Sequence, residues 1–168
     1  MKKIKHQKKL GFTLIELLIV IGIIAVLAAI IFVAVDPGRR FAEARDAQRW
    51  AEVNAMLNAV LKCTVDSGGT LPSNLASATA GTYYMIGTGS DATGCTRQAT
   101  TAALDLGAAT CESGASAIVP NYISAIPVDP SGGSWVAAKS GYYIVKSAAG
   151  RITVGSCASE RGVISVMR

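Results

Sequence analysis

The hydrophobic pattern of the chain changes twice along its length. From Phe12 to Val35 almost every position is apolar, and Glu16 is the one charged residue in the run. From Arg39 to about Val65 apolar and charged residues mix. Val53, Met56, Leu57, Val60 and Leu61 recur at three-to-four spacing, which predicts an amphipathic helix with one face against a sheet. After Ser67-Gly68-Gly69, where glycine ends that helix, short apolar runs alternate with Gly, Ser, Thr and Pro. Thr82–Ile86, Gly141–Lys146 and Arg151–Gly155 read as strands. The last two join through Ala148-Ala149-Gly150 into a hairpin, and Gly162–Val166 is a candidate final strand. Thr82–Ile86 is the one strand expected between Thr70 and Ala117, the rest of that stretch being read as surface loop. The fold class expected is α+β: a long N-terminal helix, hydrophobic in its lower half, packed on a small antiparallel sheet.

The first run is apolar on all sides, so it needs lipid or a fully buried protein environment. Its 24 residues span about 36 Å as a helix, enough to cross a bilayer. It is longer than a secretory signal core, and no small-residue cleavage site follows it. Asp36-Pro37-Gly38 breaks or kinks the helix, because Pro37 lacks a backbone donor and disfavours helix at Asp36. Gly22 is a second weak point. Glu16 stands out: a carboxylate in a membrane segment costs about 2.5–3.5 kcal/mol on insertion scales and marks function.

Charge and cysteines narrow the picture. The formal charge is +5, but Lys2, Lys3, Lys5, Lys8 and Lys9 all precede the apolar run. They favour a cytoplasmic N-terminus. The remaining eleven Lys and Arg match eleven Asp and Glu, so nothing indicates a nucleic-acid-binding surface. The only histidine is His6, and the sequence holds no Cys-x-x-Cys pair, Gly-x-Ser-x-Gly elbow or His-Glu-x-x-His site. No enzyme, metal or cofactor is expected. Cys63, Cys95, Cys111 and Cys157 are disulfide candidates outside the cytoplasm. Three connectivities are open. The short loop favours Cys95–Cys111, leaving Cys63–Cys157 to tie the helix end to the last strands. Arg39–Glu43 and Arg49–Glu52 are spaced as helical ion pairs. Arg39, Arg40, Arg45 and Arg49 form a basic cluster that reads mostly as solvated, with acidic partners or lipid headgroups as the alternative.

The segment Lys9-Leu10-Gly11-Phe12-Thr13-Leu14-Ile15-Glu16-Leu17-Leu18 resembles the type IV prepilin leader and processing site, shared by type IV pilins and the pseudopilins of type II secretion. The resemblance covers residues 1–35 well and the following helix more loosely. It implies a leader at 1–11, a transmembrane and filament-core helix at 12–35, an amphipathic helical half at 36–66 and a disulfide-containing head at 67–168. It implies cleavage between Gly11 and Phe12 by a prepilin peptidase, N-methylation of Phe12, and polymerisation into a helical homo-oligomer. Assembly would run through Phe12, Glu16, Leu14, Ile15, Leu17 and Leu18. The Phe12 ammonium of one subunit would meet Glu16 of a neighbour, or of its own chain, and set the register. Further partners implied are an assembly ATPase, a membrane platform protein and, before assembly, membrane lipid. The head would lie outside the membrane and later on the cell surface. Tyr122…Pro127-Val128-Asp129-Pro130 is a second point of resemblance. Asp129 is read there as a turn residue rather than a calcium ligand. The cysteines, the Thr/Ser/Ala-rich loop and the lack of an Asp-x-x-Asn-Trp ending favour a pilus subunit over a pseudopilin. A membrane-anchored binding domain that never polymerises is the third reading.

Overall fold

A computed structural model describes residues 11–111 and 116–168 of the chain; the leader lysines and His6 lie outside the described residues. The chain divides into two compact units between Arg40 and Phe41.

In the first unit, α1 runs Leu14–Val35 without interruption at Gly22, and none of its residues is buried. It ends where expected. Asp36 caps it in the left-handed region (φ 42°), and α2 (Pro37–Asp66) begins at the very next residue. Pro37 suits a first helical position because its missing N–H would have no partner there. Asp36 also accepts the Arg39 N–H through Oδ1 at 3.4 Å, so one residue caps the end of α1 and the start of α2.

In the second unit, α2 buries Val53, Met56, Leu57, Ala59, Val60 and Cys63. It closes with a Schellman arrangement: the Gly69 N–H donates to Thr64 O at 2.8 Å and the Gly68 N–H to Val65 O at 3.1 Å, both glycines at positive φ. The sheet comprises β1 (Tyr83–Ile86), β2 (Ala102–Leu104), β5 (Tyr142–Lys146), β6 (Ile152–Ser156) and β7 (Ser165–Met167). Their order is β2-β1-β5-β6-β7. All neighbours are antiparallel except β1 and β2. A two-residue pair, β3 (Thr110–Cys111) with β4 (Ser116–Ala117), stands apart from it. Two short helices, α3 (Ser73–Ala76) and α4 (Ile118–Asn121), complete the fold.

The stretch read as plain loop before Ala117 thus holds β2 and β3. β2 is three residues of Ala and Leu, too short to show a period, and it forms because β1 offers it an edge. The last strand also sits later than expected, at Ser165–Met167.

The sheet separates two apolar clusters. Its inner face, with Ile86, Tyr142, Ile144, Ile152 and Val154, packs with the buried side of α2. Its outer face carries Met85 and Tyr143, paired in register, and the 87–100 segment lies over them with Ala92 and Cys95. Gly155 lies opposite Tyr143 in the ladder, and a Cβ there would come within 2.4 Å of the Tyr143 hydroxyl, so only glycine fits.

This partition corrects the expected disulfides. Cys63 and Cys111 belong to the inner cluster and are bonded to each other. Cys95 and Cys157 belong to the outer one and form the second bridge. Both the Cys95–Cys111 bridge favoured by loop length and the Cys63–Cys157 bridge left over from it would have to join cysteines on opposite sides of the sheet. The Cys63–Cys111 bridge closes a 48-residue separation, for which the chain-entropy account gives about 4 kcal/mol. Replacing both cysteines by alanine is expected to lower unfolding stability by roughly that amount, measured by denaturant titration of the detergent-solubilised chain.

Candidate functional site

Gly11 and Phe12 precede α1, and Phe12 is 88% exposed. Thr13 is the N-cap of α1, with extended backbone (φ −79°, ψ 152°), and Glu16 occupies the third helical position. The two form a reciprocal capping box. The Thr13 N–H and the Thr13 hydroxyl each donate to Glu16 Oε2 at 2.8 Å, and the Glu16 N–H donates back to Thr13 Oγ1 at 3.3 Å. The carboxylate also lies where the helix dipole favours negative charge. Glu16 is therefore partnered by Thr13. Sequence reasoning assigned Glu16 a partner in Phe12 and passed over Thr13, although the Thr-x-x-Glu spacing ahead of an apolar run was there to be read. Leu14, Ile15, Leu17 and Leu18 follow on α1 with 83%, 65%, 61% and 58% of their surface exposed. By length and composition α1 can cross a membrane.

The second concentration of chemistry lies in the second unit. Arg49, on the buried face of α2, has no exposed surface. Its Nε and Nη2 donate to the two oxygens of Asp129 at 2.8 Å each. Its Nη1 donates to Asp46 at 2.7 Å and to Glu160 at 3.0 Å. Glu160 also accepts from Arg45 at 2.6 Å through both oxygens. Asp46 accepts the backbone N–H groups of Glu160 and Arg161 at 3.0 and 2.8 Å. Charged side chains from α2, the 129 turn and the loop after β6 thus satisfy one another. Next to them the Tyr142 hydroxyl donates to Glu52, and burial pushes the Tyr142 pKa up.

Burial acts against ionisation in this cluster, and the hydrogen bonds outweigh it. Burial would raise the Asp46 and Asp129 carboxyls. Backbone N–H groups at Asp46, and the Arg49 guanidinium at both, hold them below the usual range. Hydrogen bonds from Arg45, then from Arg49, lower Glu160 to about 2.

These contacts revise three expectations. Arg49 pairs with Asp129, Asp46 and Glu160 instead of Glu52, which takes Gln48 and Tyr142. Arg49 turns inward to carboxylates, and Arg45 pairs with Glu160 nearer the surface, so both leave the proposed basic cluster. Glu43 reaches Arg161 at 3.5 Å. Asp129 does sit in a turn, accepting the Ser131 N–H at 2.9 Å, but its main role is as the buried counter-charge of Arg49. No sequence signal could join Arg49 to a residue 80 positions away. Among the described residues no group of three or more His, Cys, Asp or Glu side chains is placed to hold a metal ion.

Residues 6–32 match the family model of the prokaryotic N-terminal methylation motif. Comparison with curated proteins and with solved structures gave no match. The chain thus carries the prepilin signal of type IV pilins and pseudopilins, and its α+β architecture is consistent with the pilin fold. The signal implies processing by a prepilin peptidase and pilus-type assembly, and the proteins that bear it are structural rather than enzymatic.

Three outcomes follow from this geometry. The depressed carboxylates contribute stability in full above their ordinary unfolded values and lose it as pH falls through the folded ones. The thermal midpoint of the detergent-solubilised chain should therefore hold from pH 8 to about 5 and fall below about pH 4. Arg49→Leu, which strands buried carboxylates, should destabilise the head by about 3–5 kcal/mol. At the other site, Thr13→Val should speed amide exchange at Glu16 and Leu17 about fivefold, as loss of a cap worth about 1 kcal/mol requires. Thr13→Ser should leave it unchanged.

Proposed function

We propose that this chain is the precursor of a structural subunit of a type IV pilus. A prepilin peptidase cuts it between Gly11 and Phe12, Phe12 is N-methylated, and the product polymerises through α1 into a surface filament. The observation that carries this reading is the helix itself: 22 residues, apolar except for Glu16 at its third position, and with none of them buried among the described residues. A helix that finds no cover in its own chain must be covered by lipid or by other helices. The 1–11, 12–35, 36–66 and 67–168 organisation belongs to the same proposal, as do the roles of Leu14, Ile15, Leu17 and Leu18 in helix packing.

The mechanism turns on Glu16. Before cleavage the Thr13 cap satisfies its carboxylate. Cleavage places an ammonium on Phe12, one residue ahead of that cap. In a filament both charges are removed from water, and each needs the other, because an unpaired buried charge is heavily penalised. Pairing Glu16 of one subunit with Phe12 of the next fixes the axial position, while the apolar surface supplies cohesion. Two further features support export of the head: both disulfides suit an oxidising compartment, and every cysteine is in one.

Mass analysis of filaments sheared from cells is expected to show a chain beginning at methylated Phe12 with four oxidised cysteines. Processed chain confined to the membrane would indicate a pseudopilin, and a chain retaining Lys9-Leu10-Gly11 would reject the reading. Glu16→Gln is expected to insert and be processed normally while sheared filament falls at least about tenfold, the reduction that loss of a buried ion pair predicts.

A further inference from the structure

β1 and β2 run parallel and leave the sheet at the same end, β1 into Gly87 and β2 into Asp105. There Gly87, Gly107, Ala117, Ala125 and Ala137 line a cavity of about 370 Å³, with Asp105 in its wall. Glycine and alanine leave room in this lining, which Val119 and Ile126 complete. A Cβ on Gly107 would already touch Ile126 and Val119 at 3.4 Å. One Asp105 oxygen accepts the Ala108 N–H at 3.1 Å. Among the described residues no ion pair involves Asp105. The site is thus apolar with one uncompensated negative charge, and it suits a small apolar group that carries a cation.

The chain presents such a group at the opposite end of the same sheet. β5 pairs antiparallel with β1, Tyr83 opposite Val145, so the β5–β6 turn lies where β1 begins and the cavity lies where β1 ends. The turn exposes Ala148, Ala149, Gly150 and Arg151. Its shape is fixed: the Gly150 N–H donates to Ser147 O at 3.0 Å, the Arg151 N–H donates to Ser147 Oγ at 3.0 Å, and Gly150 adopts φ 81°. The other described cations from Phe41 onward have a carboxylate, amide, carbonyl or ring partner. The Arg151 guanidinium has none among the described residues.

We infer that the β5–β6 turn of one copy docks into the β1–β2 cavity of the next, with Ala148 and Ala149 against its small-residue lining and Arg151 paired to Asp105. The two surfaces differ and lie at opposite ends of one sheet, so the contact is head-to-tail. Repeated without closing, such a contact builds an open helical array instead of a closed dimer. The inference rests on the filament reading and adds to it a contact between heads, distinct from the packing of α1. The charge pair selects the partner and the apolar surroundings strengthen it.

The test uses the full-length chain in the cell that assembles it, with a photo-crosslinking amino acid in place of Ala149. Irradiation is expected to give a covalent dimer whose joined peptides contain position 149 and either Asp105 or Ala125. Asp105→Arg or Arg151→Asp alone should lower the dimer yield about tenfold, and the two together should restore it. Protease resistance of each variant checks that the head still folds. Filaments that form while position 149 crosslinks elsewhere, or to another protein, would overturn the docking and leave the filament reading standing. If the unaltered chain forms no filament, the filament reading fails. The same crosslink in the membrane pool would still support the docking, and its absence there would overturn it.

Discussion

A guanidinium with no exposed surface must find acceptors for its donors inside the protein, because a buried charge without partners is too costly to keep. Arg49 meets that demand with carboxylates from three separate parts of the chain: its own helix, the turn after Pro127 and the loop after β6. The arrangement of the head follows from this. Asp129 has to come inward, which sets where the segment leading into β5 begins. Glu160 has to come inward too, which folds the loop between β6 and β7 against α2, and Asp46 then takes two backbone N–H groups of that loop. Apolar burial holds the sheet on the helix, and the ionic cluster fixes how the irregular segments are arranged around it. Hydrophobic contact alone is non-directional and would not specify that arrangement.

The N-terminal segment solves a different problem with a similar device. A carboxylate near the start of an apolar helix needs donors, and the helix start supplies N–H groups that need acceptors. Thr13 brings the two together. Glu16 is thereby satisfied within its own first turn, by donors that a cut between Gly11 and Phe12 would leave in place. In the proposed function, proteolysis alters what is available to that carboxylate without touching the apolar surface behind it. The chemistry of assembly is then confined to the first five residues of the processed chain, and the rest of α1 has only to be apolar.

How much of this was legible in the sequence depended on the range of the interaction. α1, the break at Asp36-Pro37 and α2 follow from local composition and periodicity, and they fall within a residue or two of expectation. The β5–β6 hairpin was also legible, because alternating Tyr, Ile and Val residues flank a glycine turn. β2 was not legible: Ala102–Leu104 has neither the length nor the β-branched residues of a strand, and it pairs only because β1 is there. The disulfides were misjudged because loop length was the only guide, whereas the deciding fact is which face of the sheet each cysteine occupies. The Arg49 cluster lay out of reach for the same reason. Its residues are ordinary surface types, and only the tertiary fold brings them together and removes them from water.

The segment over the outer face of the sheet is held by a covalent bridge and a small cluster around Met85, Tyr143 and Trp135, whereas the inner face rests on an extensive apolar core. This divides the burden of mutation unequally. On the inner side almost any change is felt as lost packing. On the outer side Asp91, Thr93, Thr96 and Arg97 are tied down by side-chain hydrogen bonds and Gly94 by its positive φ, which leaves the exposed Thr88, Ser90 and Ala99 as positions where a change has little consequence for folding. Natural variation can therefore rewrite the chemistry of a few points on this surface, while the residues between them keep the segment in place.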